Sequence, residues 1–269
     1  MPVSSSGHLV LLPVLLEWPY ARLEPELRKT FEVALHAGTA VALLVALRHE
    51  VADVVRDLDS RGALGAVLTF APAALAGLAL EEAIERQAGT PLAVAAAQVL
   101  AGIGLAVADR RPDARPYADA GTLDHLAIGL AQAAALVPGV SRNGATLTAA
   151  RLRGLDRPAA SRLSRHAALP AIVGAAALKG VRLVGRGVPA HLAVAFSTGA
   201  AAAFASTLAS RGLLGRIERA RSYLPLAAYR VALGAGAAVL LRRRRRAPSA
   251  GRQAGRVPAP VAPCASMAR

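Results

Sequence analysis

Two short stretches carry most of the side chains able to do chemistry. The first, "PVSSSGHL" (residues 2–9), brings Ser4, Ser5, Ser6, Gly7 and His8 together. The second, "VPGVSRNGAT" (residues 137–146), brings Gly139, Ser141, Arg142, Asn143, Gly144 and Thr146 together. Arg142 can present a bidentate fork to phosphate oxygens and stays charged at any accessible pH. The serines, Asn143 and Thr146 offer short hydrogen-bond donors. The glycines let backbone N–H groups come close to an anion, as helix N-termini and nests do. His8 can move a proton near neutral pH. Charge clamp, donors, hydroxyl nucleophile and proton carrier together make an inventory for phosphoryl chemistry.

Each residue also has a plainer reading. Arg142 alone would be read as an interfacial side chain that snorkels, and its Ser/Gly/Asn/Thr neighbours weigh against that. His8 alone would be read as a satisfied core histidine. Ser4 and Ser6 suit helix capping as well as catalysis. Glu81, Glu82 and Glu85 have the spacing of a paired-carboxylate site, but they lie between apolar runs and read as a solvated loop or helix end.

The surroundings of the two stretches are strongly apolar. Of the 269 residues, 54% are hydrophobic and only 18% charged. Apolar runs cover residues 31–47, 62–80, 91–108, 123–137, 167–184, 192–209 and 224–241. Each approaches the ~20 residues that cross a hydrocarbon core as a helix. Seven such runs with short polar joins predict an all-α polytopic membrane protein, with an integral domain over residues 1–241 (about seven spans plus an N-terminal re-entrant segment) and a basic, Pro/Ala-rich disordered tail over 242–269.

The formal net charge of +15 would otherwise invite nucleic acid as a partner. With 3% aromatic residues and no helix-turn-helix or zinc signature, that partner is not expected. The run Arg242–Arg246 directly after the last apolar segment reads as a stop-transfer flank at an anionic leaflet. The chain has thirty Arg against two Lys, which biased codon usage explains as well as any demand for guanidinium, so no Arg is informative by type alone. The sole cysteine, Cys264, excludes an intrachain disulfide.

The two polar stretches also resemble each other. Val3-Ser4-Ser5-Ser6-Gly7 aligns with Val140-Ser141-Arg142-Asn143-Gly144, and further on His36 and His166 fall at comparable places in apolar helices. An internal repeat with a broken helix in each half is expected, the breaks facing one another across a site. Irregular backbone at membrane depth persists only where it is buried in protein or lines a wet cavity.

In order along the chain, "PVSSSGHL", "FEVALHAGTAVALL", "GLAQAAALVPGVSRNGAT" and "YLPLAAYRVALG" resemble the undecaprenyl-diphosphate phosphatase, or bacitracin-resistance, family from Pro2 to about Leu241. The Ser-Ser-x-Gly-His and Pro-Gly-x-Ser-Arg-x-Gly-x-Thr motifs are its most specific parts. The resemblance implies hydrolysis of undecaprenyl diphosphate to the monophosphate, recycling the lipid carrier of cell-wall synthesis. It implies a bacterial plasma-membrane location, a polyprenyl diphosphate lipid as partner and a divalent cation, Mg or Ca, as cofactor. It also implies an inverted repeat with re-entrant helix breaks. By the same resemblance Ser5, His8 and Arg142 are catalytic: Ser5 as nucleophile or leaving-oxygen donor, His8 as proton-transfer partner, Arg142 as charge clamp. Ser4, Ser6, Gly139, Ser141, Asn143, Gly144 and Thr146 would bind the diphosphate, while the metal ligands stay unassigned. Asp119 or Asp124 would stand where the family carries an acid.

Three departures from the family pattern qualify this. The family's acidic pair, four apart on a helix upstream of the first motif, has no counterpart, because the sequence begins at Met1-Pro2. Either the true start is earlier, or the chain binds or translocates a polyprenyl phosphate without cleaving it. Asn143 replaces a serine and cannot be a nucleophile. Arg165 and His166 stand where the family is aromatic and apolar, implying an altered headgroup preference or a helix that begins later.

Overall fold

The computed structural model describes residues 2–56, 59–186, 192–218 and 221–246, and among them it is helical, with no strand. Eleven α-helices follow in order: α1 (Ser5–Leu15), α2 (Pro25–Ala46), α3 (Arg48–Arg56), α4 (Ser60–Ala88), α5 (Pro91–Asp109), α6 (Thr122–Ala134), α7 (Arg142–Leu152), α8 (Arg157–Arg186), α9 (Ala193–Ala209), α10 (Arg211–Glu218) and α11 (Leu224–Arg246). Proline sets several starts where its missing N–H is harmless: Pro25 and Pro91 open α2 and α5. Thr90 caps α5 by accepting from the Ala93 N–H.

Among the described residues four helical segments are long and apolar enough to cross a bilayer: Pro25–Ala46, Gly62–Leu80, Pro91–Asp109 and Leu224–Arg245. Many of their large side chains face outward while small ones pack inside, Val94 and Leu105 of α5 being buried exceptions. Leu78 is 85% and Leu100 69% exposed, whereas Ala34, Ala42, Ala95, Ala108 and Ala237 are buried. That is the arrangement of a protein solvated by lipid, where close packing of small residues holds helices together. The chain is an all-α polytopic membrane protein. Gly38 lies directly on the backbone of Ala200, and Gly129 on that of Leu68, so α2 meets α9 and α4 meets α6 at backbone contact.

The apolar run at 123–137 does not become a crossing. It forms the 13-residue α6 and then a turn, about 20 Å of helix against a hydrocarbon core of ~30 Å. Its partner α7 has 11 residues. Both ends of this hairpin sit on the same side. Asp124, in the first turn of α6, pairs with Arg153, just past α7, at 2.7 Å, and with Arg115 at 2.9 Å. The Arg115 backbone bonds Gly154 and Asp156 at 3.0 and 2.9 Å. α6 and α7 therefore enter and leave on one face, which makes them a re-entrant pair.

A polar cluster on that face anchors α7. Arg151, fully buried, donates to Asp113 at 2.5 Å, to the Leu155 carbonyl at 2.6 Å and to the Arg111 carbonyl. Arg157 ties Asp109 and Asp113, each at 2.8 Å. Asp109 in turn accepts from Ser222 and from the Tyr223 N–H, fixing the start of α11. α11 continues through Arg246, so the boundary placed after Leu241 falls inside this helix; residues 247–269, with Cys264, lie outside the described residues. Arg244 bonds the Val14 and Leu15 carbonyls and pairs with Glu17 at 2.9 Å, closing the end of α1.

Candidate active site

The two polar stretches fold alike. Ser4 precedes α1 with φ 67° and its hydroxyl accepts from the Gly7 N–H; Ser141 precedes α7 with φ 68° and its hydroxyl accepts from the Gly144 N–H. Both bonds measure 3.2 Å. A left-handed conformation at a non-glycine residue is strained by about 1–3 kcal/mol, and the cap offsets part of it. α1 and α7 each have 11 residues. The alignment of Ser4 with Ser141 is thus an equivalence of structure, and it makes Ser5 and Arg142 equivalent first residues of their helices.

The breaks also meet. The Gly139 N–H reaches Ser6 Oγ at 3.5 Å, and Ser6 Oγ lies 3.3 Å from Ser4 Oγ. Gly139 has φ +98°, and a Cβ there would lie 2.6 Å from the Val94 carbonyl of α5. Only glycine lets the second break approach this closely. Two helix N-termini, each leaving first-turn N–H groups without intrahelical partners, are joined in this way. Ser5 and Arg142 are both exposed, and neither side chain makes a hydrogen bond or ion pair among the described residues. They are the free hydroxyl and the free guanidinium of the site.

His8 stands one turn into α1, on the face of Ser5 by its i, i+3 spacing. Its Nδ1 lies 2.7 Å from the Ser4 carbonyl and its Nε2 2.6 Å from the Tyr229 hydroxyl. A carbonyl only accepts, so Nδ1 carries the proton. In the neutral ring, Nε2 is then the basic nitrogen and Tyr229 donates to it. The two rings also stack at 5.7 Å.

Some expected site residues have other duties. Thr146 is buried: its hydroxyl contacts the Arg142 and Asn143 carbonyls at 3.0 and 3.1 Å and Ser164 Oγ at 2.6 Å. Ser164 in turn donates to Asn143 Oδ1 at 2.9 Å. Thr146 and Ser164 therefore support the loop from behind and orient the Asn143 amide. Ser4 and Ser141 act as caps and are themselves buried. Asp124 is spent on Arg115, Arg153 and the Gly121 N–H at the far end of α6. His166 contacts Tyr117 at 3.0 Å, and Arg165 donates to Glu50 at 3.2 Å; both lie well inside α8, which begins at Arg157, so a late helix start does not explain them. Glu81, Glu82 and Glu85 fall in the last turns of α4.

Three residues of the site region carry no role in the sequence reading: Gln98, Tyr229 and Arg230. Gln98 Nε2 donates to the Val3 carbonyl at 3.0 Å; Arg230 Nη2 donates to the carbonyls of Gly139 and Val140 at 3.0 and 2.7 Å. The available signal was an arginine six residues into an apolar span, costly there unless functional.

Among the described residues no group of three or more His, Cys, Asp or Glu side chains is placed to hold a metal ion. The side chains around Ser5 are hydroxyls, an amide, an imidazole and guanidiniums. These residues do not form a divalent-cation site by themselves, and no chemical step is assigned to a cation.

Comparison with known proteins places this geometry in a family. The model for "Bacitracin resistance protein BacA" matches residues 1–236. A Trichlorobacter lovleyi protein named undecaprenyl-diphosphatase is 38% identical over 258 residues, covering 90% of this chain and 91% of its own length. Its namesake from Pelobacter propionicus is 37% identical over 256 residues, covering 90% and 92%. Another, from Thermomicrobium roseum, is 38% identical over 256 residues, covering 87% and 90%. With both motifs inside the matched region and joined in space, the chain belongs to the bacitracin-resistance (BacA) family.

Proposed function

We propose that this protein hydrolyses undecaprenyl diphosphate to undecaprenyl phosphate and inorganic phosphate in the bacterial plasma membrane, recycling the lipid that carries cell-wall precursors. The observation that carries the assignment of the site is the contact between Gly139 and Ser6. It brings the N-terminus bearing the free Ser5 hydroxyl against the N-terminus bearing the free Arg142 guanidinium.

The diphosphate binds across the paired N-termini, whose N–H groups and positive dipole ends favour an anion. Arg142 offsets charge on the transferred phosphoryl group. Ser5 Oγ, or a water in its place, attacks the terminal phosphorus. The new O–P bond forms as the phosphoanhydride P–O bond breaks and undecaprenyl phosphate leaves with the bridging oxygen. The proton lost by the attacking hydroxyl reaches His8 Nε2 through the Tyr229 hydroxyl, which gives its own proton to that nitrogen as it accepts the other. If Ser5 is phosphorylated, water then attacks that phosphorus, releasing inorganic phosphate and restoring the hydroxyl. A divalent cation would arrive on the diphosphate oxygens.

The test is phosphate release from undecaprenyl diphosphate in detergent, with and without divalent cation, comparing the wild type with Arg142→Ala. Release that falls by about 10³-fold or more in the variant is expected for loss of an arginine that offsets charge in phosphoryl transfer. Equal release from both folded proteins would refute the assignment.

A further inference from the structure

α5 and α11 cross with reciprocal contacts. Gly102 of α5 packs at Ala227 and Arg230, while Gly234 of α11 packs at Ala95 and Gln98. On each helix the contacted pair lies seven and four residues before that helix's own glycine. Ala95, Gln98 and Gly102 are therefore the structural counterparts of Ala227, Arg230 and Gly234. The side-chain bonds obey the same relation. Gln98 holds the carbonyl of Val3 and Arg230 that of Val140, in each case the residue just before the capping serine.

A neutral amide thus suffices for this backbone contact in one half, yet the other half uses a guanidinium. Arg230 is fully buried, its Nε and Nη1 have no hydrogen-bond partner, and no acid pairs with it among the described residues. Holding a buried cation without a counter-ion is unfavourable. The charge also lies at one definite place: Nη1 is 2.5 Å from where a Cβ on Gly144 would be, directly behind the N-terminus of α7 that begins with Arg142.

We propose that Arg230 is a built-in counter-charge for a phosphate group held at the N-terminus of α7. It works through its field and through the Gly139 and Val140 carbonyls that it fixes, so it is a positioning residue rather than one that touches the reacting atoms. The ligand class is a phosphate or diphosphate anion, supplied as a lipid headgroup or as a free ion. The role rests on the phosphatase reading, because that reading puts an anion at this helix.

The test compares the wild type with Arg230→Gln, Arg230→Lys and Arg230→Met in detergent. The Gln variant copies the opposite half, keeping a donor for Val140 while removing the charge. Five quantities are measured: KM and kcat for undecaprenyl diphosphate, Kd for inorganic pyrophosphate, Kd for inorganic phosphate, and the thermal midpoint.

Arg230→Gln is expected to keep or raise the midpoint while KM and the pyrophosphate Kd rise about tenfold or more, the loss of one charge-assisted interaction. Arg230→Lys, which keeps the charge, is expected to stay within about threefold of wild type. Weakening toward pyrophosphate and lipid alike assigns the counter-charge to the diphosphate headgroup. Weakening toward inorganic phosphate alone assigns it to the released product.

Wild-type binding of all three ligands by a folded Gln variant overturns the proposal. So does a Lys variant as weak as the Met variant, with affinity falling only in step with the midpoint. If the Gln variant does not fold, the claim that the backbone contact needs no charge falls with it. A wild type that releases no phosphate and is indifferent to Arg142→Ala defeats the phosphatase reading itself. An active wild type, silenced by Arg142→Ala beside an unaffected Arg230→Gln, defeats the role of Arg230 alone.

Discussion

Two glycines with left-handed backbone separate the geometry of the site from the stability of the helix that carries it. Gly139 (φ +98°) precedes α7 and Gly154 (φ +83°) follows it. Replacing either by alanine forces an L residue into the left-handed region, an expense of about 1–2 kcal/mol common to both. The surroundings differ. A Cβ at Gly154 makes only an ordinary contact, with Arg115 Cδ at 3.8 Å. A Cβ at Gly139 meets the Val94 carbonyl at 2.6 Å, short of the 3.4 Å at which ordinary contact begins.

That oxygen belongs to the backbone of α5, so the loop rather than the helix must move, by roughly 0.8 Å. Such a shift strains the Gly139–Ser6 contact, already 3.5 Å, and the 3.0 Å bond from Arg230. A misplacement near 1 Å in groups that position substrate lowers the rate by about 10²-fold. Gly139→Ala should therefore lose about 100-fold in kcat/KM for undecaprenyl diphosphate, and Gly154→Ala less than about threefold. Both should unfold at a lower temperature than wild type. Phosphate release, assayed well below both thermal midpoints, decides the matter. An active Gly139→Ala protein, or a Gly154→Ala protein equally impaired, would refute the claim that the Gly139 contact sets the site.

Tyr229→Phe removes the donor to His8 Nε2 and leaves the ring stack in place. A loss of about tenfold, mostly in kcat, is expected for one hydrogen bond of ~1.4 kcal/mol; unchanged kcat would show that the contact is incidental. Asp124 serves a prediction about pH. Burial pushes its carboxyl up, but the bonds from Arg115, the Gly121 N–H and Arg153 outweigh this and bring it down to about 2. A depressed carboxyl contributes its full stability above the unfolded value of about 4 and loses it as pH falls through the folded value. Asp124→Asn should therefore melt lower than wild type at pH 7, with the gap closing toward pH 2; a gap independent of pH would show that the charge does not matter.

Much of this arrangement was legible in the sequence for a physical reason. Local hydrogen bonding leaves a local signature, so a serine three residues before a glycine could be read as a helix cap in either half. The pairing of the halves was legible because three of five aligned positions, Val, Ser and Gly, repeat at the same spacing. Gln98 and Tyr229 were not legible, because each is defined by a partner more than ninety residues away in the chain. A separation of about twenty residues likewise hid the contact of Thr146 with Ser164, which in turn donates to Asn143. Apolar run length also misread α6: hydropathy counts residues, but the turn after Ala134 and the Asp124 ion pairs return the chain to the side it came from.

The matched halves divide labour within a duplicated scaffold. Val3 and Val140, Ser4 and Ser141, and Gly7 and Gly144 keep the same types and build the same backbone twice. Where the halves differ, one holds Ser5, His8 and Gln98 and the other Arg142, Ala145 and Arg230. One half carries the reagents and the other the positive charge. A symmetric dimer of the first half would have two nucleophiles and nothing to neutralise the phosphate they attack. A dimer of the second would grip the anion with four cations and never cleave it. Joining unlike halves in one chain lets each specialise, and it predicts that a chain carrying residues 141–145 at both breaks would bind pyrophosphate without releasing phosphate from undecaprenyl diphosphate, while one carrying residues 4–8 at both would bind pyrophosphate weakly.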